Sequence, residues 1–241
     1  MIRITLVRHG ETHNNRVRIV QGLDPTQGKL TDKGVRQAVL AGKALAEQPF
    51  QIAYCSPLER AVITLAEILA ARGGDRTVPL VFPQELREVN LGTLQGRPHT
   101  EWKAMIAGDP MAWRPPQGES WLDLQVRVTD YLRRVIVPGG HQEILIVAHG
   151  GVNRSLIASL TGIAMGDTWK EAGVGVPQEN SCVNVLELDD SGQLLSALVN
   201  DTRHLGEDAE ASPGQRWLPA ERRWHLLGAP GAGSHEFIPV G

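Results

Sequence analysis

Ile2-Arg3-Ile4-Thr5-Leu6-Val7-Arg8-His9-Gly10 is the stretch that decides the fold. Ile2 to Val7 is short, apolar and rich in β-branched residues, and it stops at a polar Arg-His-Gly. That is the pattern of a buried strand running into a loop. A second run, Glu143-Ile144-Leu145-Ile146-Val147-Ala148, stops the same way at His149-Gly150-Gly151. Strands buried on both faces read as continuous apolar runs and need helices on either side.

The segments between these strands supply the helices. Thr12 to Lys29 lacks helical period and carries Gly22, Pro25 and Gly28, so it reads as a long functional loop. Thr31 is placed to cap a helix in which Val35, Ala38, Val39, Gly42, Leu45 and Ala46 keep helical spacing. Gln51 to Cys55 reads as a strand, and Ser56-Pro57 as the N-cap and first position of the next helix. Val78 to Phe82 reads as a third strand, Glu101 to Ile106 as a short helix, and Ser120 as the cap of a longer one. A helix from about Val152 to Leu160 follows the second His-Gly. Val183 to Leu188 and Leu194 to Val199 flank Asp189-Asp190-Ser191-Gly192 as a hairpin. The order βαβαβαβα plus a hairpin predicts a three-layer α/β/α sandwich with a mostly parallel central sheet. One domain over residues 1–205 is expected. Residues 206–241, rich in Pro and Gly, read as an extension that packs over the sheet edge or the site's mouth.

Composition removes several classes of function. The chain has 241 residues, 41% of them hydrophobic and 21% charged, which is ordinary for a globular domain. Its two cysteines, Cys55 and Cys182, lie in apolar stretches and form no secreted disulfide framework. A cytoplasmic setting is expected. No signal peptide pattern opens the chain, and no apolar run approaches the roughly 20 residues that span a bilayer. The net charge of −3 and the absence of a basic, aromatic stripe argue against nucleic acid as partner. A few arginines in one pocket still suffice for a small anion.

Ligands of open α/β sheets bind outside the carboxyl ends of the strands. If the strand ends are neighbours, Arg8, His9, Arg60 and His149 converge. Arginine offers planar, bidentate hydrogen bonds to phosphate oxygens and keeps its charge. Gly10 and Gly150 let backbone N–H groups approach an anion closely. Gly150 also opens a helix, whose N-terminus favours negative charge.

Arg8-His9-Gly10-Glu11-Thr12 resembles the signature of the histidine phosphatase superfamily, the phosphoglycerate mutase-like proteins. Further blocks follow in the family's order: Asn15, Gln21-Gly22, Leu30-Thr31, Ser56-Pro57-Leu58 with Arg60-Ala61 and Thr64, Leu86-Arg87-Glu88, Gly118-Glu119-Ser120, His149-Gly150-Gly151 and Asn180. The resemblance spans about Met1 to Leu205. It implies His9 as nucleophile, forming a phosphohistidine. It places Arg8, Arg60, His149 and Gly150 around the phosphoryl group, with Asn15 as a neutral donor. Glu88 would protonate the leaving oxygen and later activate water. The implied roles need a neutral His9 whose tautomer is fixed by a carbonyl. They need a protonated His149 and a Glu88 that carries a proton near neutrality. No cofactor and no metal is expected.

Within the family, cofactor-dependent mutases carry Tyr three residues after the catalytic Glu, a lysine after Leu-Gln-Gly, and an Arg pair in an insertion. Here Leu91 stands at the Tyr position, His99 replaces the lysine, and no Arg-Arg pair lies between Glu88 and Gly118. That favours a phosphatase acting on a small phosphorylated metabolite over a phosphoglycerate mutase or a non-catalytic phospho-ligand module. Thr12, Gln21, Gly22, His99 and Arg114 are the weaker substrate-binding candidates. Trp102, Trp113 and Arg114 are expected to roof the pocket. Which phosphomonoester is cleaved, and whether the chain forms a homo-oligomer, are left open.

Overall fold

The fold was obtained as a computed structural model that describes residues 1–25, 28–73, 77–170, 175–209, 214–221, 223–227 and 237–239. Strands β1 (Ile2–Arg8), β2 (Ile52–Cys55), β3 (Leu80–Val81) and β4 (Glu143–Ala148) alternate with helices. The helices are α1 (His13–Val17), α2 (Asp32–Ala44), α3 (Glu59–Arg72), α4 (His99–Met105), α5 (Trp121–Tyr131) and α6 (Gly150–Thr161). Strands β5 (Val183–Leu188), β6 (Leu194–Asp201), β7 (Gln215–Leu218), β8 (Arg223–Leu227) and β9 (Phe237–Pro239) complete one sheet. Its order is β3-β2-β4-β1-β5-β6-β7-β8-β9.

The three layers follow from residue parity in the strands. Ile144, Ile146 and Ala148 join Ile4 and Leu6 against Leu124 and Val128 of α5 and Val152 and Leu156 of α6. Leu145 and Val147 join Val7, Ala53 and Cys55 against Ala41 of α2 and Ala61, Leu65 and Ile68 of α3. Neighbouring side chains point to opposite faces, so each apolar strand feeds two cores.

The sheet departs from a mostly parallel one. β3, β2, β4 and β1 are parallel, whereas every pairing from β1–β5 to β8–β9 is antiparallel. The parallel half is the one sandwiched by helices; β5 joins it antiparallel to β1, and the strands that follow β5 in sequence each pair antiparallel with the one before. The segment after Leu205 runs on through the same sheet, with Ala197 opposite Trp217. Trp217 and Trp224 are buried and pack in a tilted pair, 5.1 Å between ring centroids. Residues 228–236, 240 and 241 of this tail lie outside the described residues.

Three local readings are also corrected. The segment expected to be all loop contains α1, a five-residue helix held by a reciprocal cap between Thr12 and Asn15. Ser56 does not cap α3: the helix starts at Glu59 with Leu58 at its N-cap. The Ser56 hydroxyl is engaged by His149 instead. The third strand shrinks to Leu80–Val81, because only two residues pair with β2. Cys55 and Cys182 are free and buried, and burial pushes the Cys182 thiol up to about 12. Both behave as small apolar residues.

Candidate active site

Register brings the strand ends together. Arg8 lies opposite Ala148 across the parallel β1–β4 pair, and Cys55 opposite Val147 across β2–β4. One residue beyond, His9, His149 and Ser56 therefore meet at the carboxyl edge. The two imidazole rings lie 5.2 Å apart. A cavity of about 380 Å³ opens above them, lined among others by Arg8, His9, Asn15, Arg60, Glu88 and Gly150.

His9 is buried, and its Nδ1 lies 2.8 Å from the Gly10 carbonyl oxygen. A carbonyl only accepts, so Nδ1 carries the hydrogen and Nε2 holds the free lone pair. Burial, then the charges of Arg60 and Arg8, hold the ring well below the ordinary histidine value. The ring is neutral at neutral pH, as a nitrogen nucleophile must be. The peptide behind it is pinned: the Asn180 amide and the Ser181 N–H both donate to the His9 carbonyl.

Arg60 is 2% exposed, and its terminal amino group donates to the Gly22 carbonyl at 2.8 Å. Gly22 has φ +52, a left-handed conformation that suits glycine. Burial lowers Arg60 to about 10, which leaves it charged at neutral pH. Arg60 Nε donates to His149 Nδ1 at 3.2 Å, and His149 Nε2 lies 2.7 Å from the Ser56 hydroxyl. An Nδ1 that accepts carries no proton. His149 is thus neutral, and burial and Arg60 hold it well below the usual value. The expected protonated His149 is not what the structure shows. It stands behind Arg60 as an orienting partner rather than on the cavity wall.

Glu88 enters from the segment between β3 and α4. Its Oε2 accepts from Gly151 N–H at 3.1 Å, and its Oε1 accepts from Val89 N–H at 2.9 Å. Arg127 of α5 ties that loop down by donating to the carbonyl of Arg87 and pairing with Glu119 at 2.6 Å. Asn15 Oδ1 accepts from Thr12 N–H and from Asn180, which leaves the Asn15 amino group as its donor on the cavity wall.

Of the weaker candidates, Gln21, Gly22 and His99 line the cavity. Thr12 does not: it is fully buried, caps α1 and accepts from Gln21 at 2.7 Å. Arg114 is also displaced, because its Nε and Nη2 both donate to Asp123, at 2.5 and 2.6 Å, on an exposed face. The pocket walls are Trp121 and Trp169, with ring centroids 4.7 Å apart. Trp113 packs against the core instead, and the Trp102 side chain lies outside the described residues. Arg154, Trp169 and Gln178 also line the cavity, and sequence reasoning passed over them. Arg154 carried a usable signal, since it sits four residues after Gly150 on one helix face. Trp169 and Gln178 come from an irregular segment with no period to read.

The parallel-sheet edge thus gathers His9, arginines and one carboxylate around a cavity, with a second buried histidine behind them. The sequence profile of the histidine phosphatase superfamily (branch 1) matches residues 4–201, and the chain belongs to that superfamily. It is 33% identical over 184 residues to the glucosyl-3-phosphoglycerate phosphatase of Mycolicibacterium vanbaalenii, covering 71% of this chain and 79% of that protein. It is 32% identical over 212 residues to the phosphoglycerate mutase of Schizosaccharomyces pombe, covering 82% and 95%. The solved structure of Bacillus stearothermophilus YhfR superposes with a TM-score of 0.72 at 28% identity, covering 85% of this chain and all of that one. Among the described residues, no group of three or more His, Cys, Asp or Glu is placed to hold a metal ion. No described helix is long and apolar enough to cross a membrane.

Proposed function

We propose that the protein is a metal-independent phosphatase that hydrolyses a small phosphomonoester through a phosphohistidine at His9. The observation that carries this reading is the neutral, buried His9 with its tautomer set by the Gly10 carbonyl, opening on a cavity that also holds Arg8, Arg60 and Glu88. His9 Nε2 attacks phosphorus as the ester P–O bond breaks. Arg8 and Arg60 hold the equatorial oxygens, and Glu88 passes its proton to the leaving oxygen. Water then attacks the phosphohistidine, its proton goes to Glu88, and the P–N bond breaks to release phosphate and neutral His9. Phosphoryl transfer asks for positioning and charge stabilisation above all, and fixed guanidinium groups provide both.

The mutase reading has relatives in its favour, but a mutase must keep water from the phosphohistidine. Leu91 lines this cavity where that pattern carries a tyrosine, and no Arg-Arg pair lies between Glu88 and Gly118. The deciding assay is a panel of phosphomonoesters, including 3-phosphoglycerate with and without 2,3-bisphosphoglycerate. Phosphate release that disappears in His9→Ala supports the phosphatase. Isomerisation without phosphate release assigns the mutase. Neither activity on any ester assigns a binding module.

A further inference from the structure

Among the described residues, Arg154 is the one lining arginine that the reading above leaves unused. It lies on α6, and its Nε donates to the Val176 carbonyl at 3.0 Å. Its guanidinium lies 5.0 Å from the ring centre of Trp169. It has no ion pair with any described carboxylate. The charge of Glu88 steadies it without a contact ion pair, so its burial costs solvation that a bound anion would restore.

Two nitrogens meet over Gly150. A methyl group on Gly150 would stand 3.3 Å from Arg154 Nη1 and 3.5 Å from Arg8 Nε. Arg8 Nε is buried and has no hydrogen-bond partner, although Arg8 Nη1 donates to the Gln178 carbonyl. Leaving a buried donor unpaired is costly, and ligand binding is a common reason to find one. Two arginine nitrogens from different elements thus converge on the point above Gly150, and the glycine leaves that point free of a side chain. The geometry points to Arg154 as a third phosphoryl-binding arginine, which shares one phosphoryl oxygen with Arg8 Nε in the seat above Gly150. This supplies the positive charge that His149 does not, because His149 Nδ1 accepts from Arg60. Burial lowers Arg154 to about 10, so it remains charged at neutral pH.

The proposal concerns the same site as the phosphatase reading, but its binding arm stands without turnover. Inorganic phosphate binding is measured by calorimetry on the wild type, Arg154→Met, Gly150→Ala and Trp169→Leu. Loss of one charge-assisted contact raises the phosphate Kd about 10- to 100-fold in Arg154→Met. Gly150→Ala, which fills the seat, and Trp169→Leu, which loosens the guanidinium, move it the same way by less. Melting curves show which variants are folded, and the two milder ones decide the matter if Arg154→Met is not. In turnover, kcat/KM falls by a similar factor for nitrophenyl phosphate and for a carboxylate-bearing phosphomonoester. An unchanged phosphate Kd in folded variants overturns the proposal. So does a loss confined to the carboxylate-bearing ester, which would assign Arg154 to the leaving group. A wild type that binds phosphate but hydrolyses nothing sinks the phosphatase reading alone.

Discussion

Gly151→Ala tests the placement of Glu88 without touching a charged residue. A methyl group at this position would stand 2.3 Å from Glu88 Oε1 and 2.7 Å from Cζ3 of Trp121. An ordinary contact needs about 3.4 Å, so the carboxyl group must retreat by about 1 Å. The tryptophan and Leu124 behind it leave the methyl little room to yield instead. A catalytic group misplaced by about 1 Å costs on the order of 100-fold in rate. The overpacking itself costs ~1–3 kcal/mol, a drop of several degrees in melting temperature for a domain this size. The assay compares an alkyl phosphate, whose leaving oxygen needs a proton, with nitrophenyl phosphate, whose leaving group departs without one. Gly151→Ala should cut kcat about 100-fold on the alkyl ester. On nitrophenyl phosphate it should give a burst of nitrophenolate followed by slow turnover, because Glu88 is still needed to activate water. Unchanged kcat on the alkyl ester in a folded variant would refute Glu88 as the proton donor.

Two further outcomes follow from the same structure. His9 and His149 are held well below the unfolded value of 6.5, so below pH 6.5 the unfolded chain binds more protons than the native one. Stability therefore falls as pH drops from 6.5 towards 5, by up to ~1.4 kcal/mol per pH unit for each histidine. Urea unfolding at stepped pH reads this slope, which His149→Gln should flatten; a wild type equally stable at pH 7 and pH 5 contradicts it. Truncation after Leu205 removes β7, β8 and β9 together with Trp217 and Trp224. Losing one core tryptophan side chain typically costs ~3–5 kcal/mol, so the shortened chain should lose cooperative melting; an unchanged melting temperature would show the tail to be dispensable.

The sequence made the parallel half of the molecule legible because buried strands there are uninterrupted apolar runs ending in His-Gly. Whether later strands pair parallel or antiparallel is not written in their hydrophobicity. β7 and β8 were hidden for a related reason: their pairing is with β6 and with each other, while locally they look like a Pro- and Gly-rich tail. α1 was missed because five residues are too few to show a period, and its stability comes from the Thr12–Asn15 cap. In the site, His9, Arg8, Arg60 and Glu88 were readable from motif context. Competition for partners was not. Ser56 has a capping hydroxyl, but it is shared between His149 and the Leu58 N–H, ahead of the helix start. Arg114 has the charge for a pocket, but Asp123 holds it on the surface. Arg154 looks like a solvated helix charge until Trp169 and Val176 fix it beside Arg8.

The central claim is that phosphorus is transferred to His9. The direct measurement is rapid quenching of the enzyme with a phosphomonoester into base, followed by mass mapping of the phosphoryl group. The account predicts an acid-labile, base-stable phosphoryl group on His9, formed at least as fast as turnover and absent in His9→Asn. Turnover with no phosphoenzyme, or a phosphoryl group mapped to another residue, would contradict it.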